Sequence, residues 1–144
     1  MNQKHIVGGV IGGLAGGVVF GILMQMMGMM PMIASIIGSQ ATIVGWVVHL
    51  VISAVTGAIF AVVGKLANTY WRGAGYGLLY GLIWWVLGAL IAMPVILGMG
   101  VQFSNAFDQM HLMSMMGHAI FGILLGLVFV FYTETDIESS DAKP

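Results

Sequence analysis

The chain has 144 residues, of which 60% are hydrophobic and only 6% are charged, with a net charge of −1. A soluble domain covers its surface with roughly 25% charged residues, so this chain has lipid for its solvent and no water-facing domain to spare. The absence of any basic run removes electrostatic support for nucleic-acid binding. The absence of cysteine removes disulfides, thiolate metal sites and thiol catalysis together.

Four apolar runs follow one another, at about residues 6–30, 41–66, 73–97 and 110–132. Each is long enough for the ~20 residues that a helical crossing consumes. The first follows Lys4 and could be taken for a secretion signal. It is too long for a signal core and has a counterpart later in the chain, so it is read as a membrane helix. The breaks hold Gly38-Ser39-Gln40, then Asn68-Thr69, then Ser104-Asn105 with Asp108. Residues 133–144 are polar and are expected to be disordered. The domain reading is therefore one four-helix transmembrane unit over 1–132, followed by a tail.

The runs carry an internal echo. Gly9, Gly13 and Gly17 match Gly73, Gly77 and Gly81 at an offset of 64, and Met30-Pro31 matches Met93-Pro94 at 63. His49, Gly57 and Phe60 match His118, Gly126 and Phe129 at 69, so the extra residues fall in the loop near 102–109. These matches predict two tandem two-helix repeats, about 6–66 and 73–132. Each repeat crosses twice, so the two are parallel and related by a pseudo-two-fold axis along the membrane normal. The predicted fold class is an all-α membrane protein of four transmembrane helices. Lys4, Lys65 and Arg72 all fall on the side of the N-terminus and second loop. The positive-inside rule then places both termini in the cytoplasm, in a multi-pass protein of the inner membrane. Tyr70, Trp71 and Tyr132 are expected at the cytoplasmic interface, and Phe103 and Phe107 at the outer one.

Three patterns bear on chemistry. Glycine recurs at every fourth position of the first and third runs, a spacing that lets membrane helices approach closely. Twelve of the 13 methionines crowd the outer half of the spans on this topology. Thioether is a soft ligand suited to Cu(I), and Met26 and Met30 share one helix face. His49 and His118 lie inside spans at equivalent positions of the two repeats, about eight residues into their helices, with His111 two turns above His118. Intramembrane ionisable groups are costly and face a bundle interior or a cavity. The pair admits bis-histidine ligation of haem b, a copper site with Met30, Met93 or Met115, or a structural role bonding backbone and fixing helix register. No Asp or Glu lies in a span and no phosphate loop or nucleophile elbow occurs, so ordinary enzyme chemistry is not expected.

The glycine pairs 8–9, 12–13 and 16–17 before Phe20-Gly21, the stretch MMGMMPMIA, and the strings GWxxHL, GLxYGxxWWxLG and GHxxFG resemble small prokaryotic four-helix membrane proteins. That resemblance spans residues 8–131 and implies the fold but no activity, leaving Trp46, Trp84 and Trp85 beside the histidines as candidates on physical grounds. The Met-xxx-Met spacing beside glycine-spaced helices also resembles the eukaryotic copper-uptake channels, which have three helices. The leading expectation is a small prokaryotic inner-membrane protein with a non-catalytic binding or structural role. A metal- or haem-binding electron-transfer or copper-handling protein is the second, and a small channel or exporter the third. The lipid bilayer is the expected partner, with homo-oligomers or a larger membrane complex left open.

Overall fold

A computed structural model describes the backbone of residues 3–141 and the side chains as far as Glu134. It is all-helical, with no strand among the described residues. We number the α-helices α1 (Gln3–Met26), α2 (Met30–Ala34), α3 (Thr42–Gly64), α4 (Tyr70–Trp84), α5 (Met93–Ile96) and α6 (Gln109–Asp141). A π-helical stretch, Trp85–Ala92, joins α4 to α5 without a break. Four segments are long and apolar enough to cross a membrane: Gln3–Met26, Thr42–Gly64, Tyr70–Ile96 and Gln109–Glu134. The chain is a multi-pass membrane protein. Its N-terminal segment meets the last span at one end, where the Lys4 ammonium donates to the Thr133 carbonyl at 3.2 Å.

The helices are built inside out relative to soluble ones. In α1 the faces turned outward carry Val7, Ile11, Leu14, Val18 and Ile22, while the buried residues are Gly8, Gly9, Gly12, Gly13, Gly16 and Gly17. Branched aliphatics meet lipid, and glycine meets helix, because between membrane helices the gain comes from close packing rather than from apolar burial. The glycines are required by contact. A Cβ on Gly9 would collide with the Gly57 carbonyl, and one on Gly13 with the Ser53 carbonyl, so α1 and α3 touch backbone to backbone. Gly73, Gly77 and Gly81 stand in the same relation to Gly126, Gly122 and His118 across the α4–α6 contact.

α1 has a second glycine face. A Cβ on Gly12 would lie 2.7 Å from the Leu125 carbonyl oxygen, and one on Gly16 2.6 Å from that of Phe121, so α1 also packs tightly on α6. The positions 64 residues later in α4 are Arg72, Tyr76 and Tyr80. These bulky residues hold α4 away from α3, and the two helices meet at few points. One of those points is the Tyr80 hydroxyl, which donates to the Thr56 carbonyl at 2.6 Å. Beyond Tyr80, toward the end away from the termini, the gap stays open.

Three local departures from the sequence reading have physical causes. The first apolar run ends at Met26 instead of about Met30, because the chain turns at Gly28 (φ 69°) and restarts as the short α2 with Pro31 in its first turn. The third run is not uniformly α-helical. Pro94 has no N–H to give the Leu90 carbonyl, and the Gln102 backbone N–H supplies one at 2.8 Å, drawing the third loop against the π stretch. The last helix continues in backbone to Asp141, since no glycine or proline interrupts residues 127–143; residues 142–144 of the tail lie outside the described residues.

Candidate functional site

The gap between α3 and the α4–π segment widens into a cavity of about 320 Å³ at the end away from the termini. That volume lies near the lower end of small-molecule sites, roughly 300–1,000 Å³. Six methionines line it: Met24, Met29, Met32, Met93, Met99 and Met110. Its polar groups are few: His49, Ser53 and Thr56 from α3, His111, Ser114 and His118 from α6, and Gln102 from the third loop. No Lys, Arg, Asp or Glu is among the lining residues.

Both intramembrane histidines reach this cavity. His49 is buried, and its Nε2–H donates to the Gly17 carbonyl at 2.8 Å. His118 is half-buried, and its Nδ1–H donates to the Ser114 carbonyl of its own helix at 2.8 Å. A carbonyl can only accept, so each bond fixes the hydrogen on the ring nitrogen that makes it. The uncharged ring then keeps a lone pair on the other nitrogen: Nδ1 of His49 and Nε2 of His118. Neither of these nitrogens has a hydrogen-bond partner. Among the described residues, however, no buried side-chain nitrogen or oxygen is left unpartnered. Both lone pairs therefore border open space, which is the cavity the two rings line.

Phe20 of α1 lies against both rings, edge-on, with centroids 5.6 Å from His49 and 4.7 Å from His118. It wedges there because Gly117 leaves room for its ring; a Cβ at 117 would overlap the Phe20 edge. Trp46 meets His49 edge-on at 6.4 Å and donates its indole N–H to the Gln25 side chain at 2.8 Å. Trp84 lines the cavity, whereas Trp85 turns toward α6 and donates to the His111 carbonyl at 3.1 Å. At the mouth, His111 donates to Asp108 Oδ1 from both its backbone and its Nδ1–H, each at 2.8 Å.

Of the five residues singled out as metal ligands, the structure brings His49, His118 and Met93 to the cavity. It places Met30 and Met115 elsewhere. Met30 is fully buried where Gly45 of α3 presses on its backbone, and Met115 packs beside the Trp85–Leu90 cluster. Gly45 and Gly122 are helix-contact residues, while Ser53 and Ser114 do line the cavity. Phe20, Thr56 and Gln102 were not anticipated. A readable signal existed: positions 8, 12, 16 and 20 are Gly, Gly, Gly and Phe, and their counterparts 64 residues on are Arg72, Tyr76, Tyr80 and Trp84. That change from small to large marks which helix pair closes and which stays apart.

No family model, curated protein or solved structure matches the chain.

Proposed function

We propose that the protein is a non-catalytic binding protein of a prokaryotic inner membrane, and that its occupant sits in the cavity between α3 and the α4–π segment. One observation carries this reading: two imidazole lone pairs, without protein partners, border a largely apolar space inside a membrane bundle. Leaving such groups unsatisfied in hydrocarbon is costly, so an occupant that meets them gains what the empty protein forgoes. The lining has no carboxylate, and the His118 Nδ1 that lies 3.5 Å from the Ser114 hydroxyl oxygen already carries the hydrogen given to the Ser114 carbonyl, so it is no base for that hydroxyl; this favours binding over turnover.

The same reading takes α1–α3 and α4–α6 as the two copies of a duplicated hairpin. Its support is the match of contacts, Gly9 with Gly57 and Gly73 with Gly126, at the offsets found in the sequence. The copies have diverged where it matters for the site, since only α1 kept a second glycine face. With Lys4, Lys65 and Arg72 at the terminal end, the termini are cytoplasmic and the cavity lies in the outer half of the membrane. Reporter fusions after residues 40, 68, 105 and 144 are expected to read outside, inside, outside and inside. A periplasmic C-terminus would reverse the orientation.

The test of binding is native mass spectrometry of the full chain extracted gently from membranes, compared with Gly88→Leu. Gly88 lines the cavity and a Cβ there meets nothing, so the larger side chain adds bulk without displacing a helix. Wild-type protein is expected to carry a small adduct that the variant has lost. Equal, ligand-free spectra for both would remove the reading.

A second reading has its own support in the methionine wall. Cu(I) accepts thioether and imidazole ligands, and His118 Nε2, His49 Nδ1 and the Met93 sulfur are the donors the cavity offers. Copper bound by wild type and by His111→Ala, but not by His118→Ala, would favour it. Haem b is less suited: Phe20 already lies against both imidazoles, and no basic side chain lines the cavity to meet the propionates.

A further inference from the structure

The polar lining of the cavity is one-sided. His49 and His118 have each given their ring hydrogen to a backbone carbonyl. The Ser53 hydroxyl donates to the His49 carbonyl at 2.8 Å and the Thr56 hydroxyl to that of Ile52 at 2.9 Å, both within α3. The Gln102 amide donates to Met99 and Gly100, and the Trp84 indole hydrogen-bonds the Tyr80 hydroxyl. Only the hydroxyl hydrogen of Ser114 is uncommitted. What remains at the cavity is mostly acceptors, the two imidazole nitrogens and the oxygens of Ser53, Thr56 and Ser114, beside the single Ser114 hydroxyl hydrogen; His111 at the mouth has given its Nδ1–H to Asp108.

A polar lining richer in acceptors than in free donors favours ligands that donate a hydrogen bond. A ligand with a hydroxyl hydrogen satisfies an imidazole lone pair, whereas a ketone, quinone or ether of the same shape brings a second lone pair against the first. Formal charge on the ligand is disfavoured as well, since the lining holds no counter-ion. The geometry points to a neutral, lipid-soluble alcohol or phenol as the class of occupant, its hydroxyl donating to His118 Nε2 or His49 Nδ1 and its body lying among the methionines. This rests on the binding role proposed above and adds to it the chemical sense of the selection: the hydroxyl form of a compound is held more tightly than its carbonyl or ether form.

Two probes of one shape test it, 1-naphthol and 1-methoxynaphthalene, which share a ring system and differ in whether the oxygen carries a hydrogen. Their partition into nanodiscs loaded with the full chain is measured in excess of their partition into empty nanodiscs. Wild-type protein is expected to hold the naphthol about tenfold more tightly than the ether, the size of one hydrogen bond kept against one lost. His118→Phe, which keeps an aromatic ring against Phe20, is expected to bring that ratio to about one without changing the affinity for the ether; His49→Phe reports on the other acceptor. A wild-type ratio at or below one overturns the donor selection. So does a wild-type ratio that survives both histidine replacements, since the imidazoles would then not be the acceptors. The wild-type comparison stands even where a variant does not fold. Excess binding of neither probe, with no difference between wild type and Gly88→Leu, would instead remove the cavity as a binding site, which separates the two failures.

Discussion

A single hydrogen decides what each histidine can do. By giving Nε2–H to Gly17 and Nδ1–H to Ser114, His49 and His118 are locked as opposite tautomers with opposite nitrogens free. Equivalence in sequence thus does not extend to equivalence in hydrogen bonding. The difference was not legible from residue spacing, because it depends on which carbonyl comes within reach: Gly17 has no side chain to hold the His49 ring off, while His118 finds a carbonyl in its own preceding turn. That both histidines face inward was legible, since an imidazole in hydrocarbon has nowhere better to go. Asp108 offers a sharper test outside the membrane. It caps α6, accepting from the backbone N–H and then the side-chain N–H of His111, and these bonds hold its carboxyl below the usual carboxylate range. A carboxyl whose folded value is depressed stabilises the folded state above its unfolded value of about 4, and that contribution is lost as the pH falls through the lower folded value. Hydrogen exchange at the amides of His111 and Leu112, corrected for its intrinsic pH dependence, is therefore expected to show protection unchanged from neutral pH down to about 4 and weaker below. In Asp108→Ala the protection should be weak throughout, and an acid step that persists in that variant would assign the titration to another group.

At the scale of helices, glycine placement sets which elements meet. The occurrence, number and approximate bounds of the four spans could be read from run length alone, because lipid forces each apolar run of this length into a crossing helix. The π stretch could not, nor could the long-range bond that ends on it, Gln102 to the carbonyl that Pro94 leaves free. Replacements within this framework should divide by contact rather than by position along a helix. Gly13→Ala puts a methyl group onto the Ser53 carbonyl and within 2.9 Å of Gly57 Cα, and is expected to destabilise the bundle by about 1–3 kcal/mol, as overpacking does. Gly75→Ala meets nothing and should be neutral or stabilising by up to about 1 kcal/mol through helix propensity. Unfolding of the two variants from mixed micelles by a denaturing detergent distinguishes them; similar stabilities would show that α1 and α3 do not touch as described. Tyr80→Phe removes the bond that ties α4 to the Thr56 carbonyl, a loss of about 1 kcal/mol.

In the whole molecule, α1 and α4 differ in how many glycine faces they offer their neighbours. α1 has glycine on two faces and is gripped by both α3 and α6; α4 has glycine on one face and is gripped by α6 alone. The site follows from that difference, because the interface that fails to close is the one both histidines border. The sequence pattern contained the ingredients, Gly8, Gly12 and Gly16 against Arg72, Tyr76 and Tyr80. What it could not supply was the enclosure: α2 turning back at Gly28 and the third loop folding over the π stretch wall the cavity with Met29, Met32, Met99 and Gln102. The apolar, methionine-lined part of such a cavity is the kind of space that takes up xenon. The most direct measurement is therefore a crystal structure of the full chain under xenon pressure. The account predicts a xenon site between α3 and the π stretch, within reach of Phe20, Met93 and His118. Helices α3 and α4 packed against each other along their length, with no xenon between them, would contradict it.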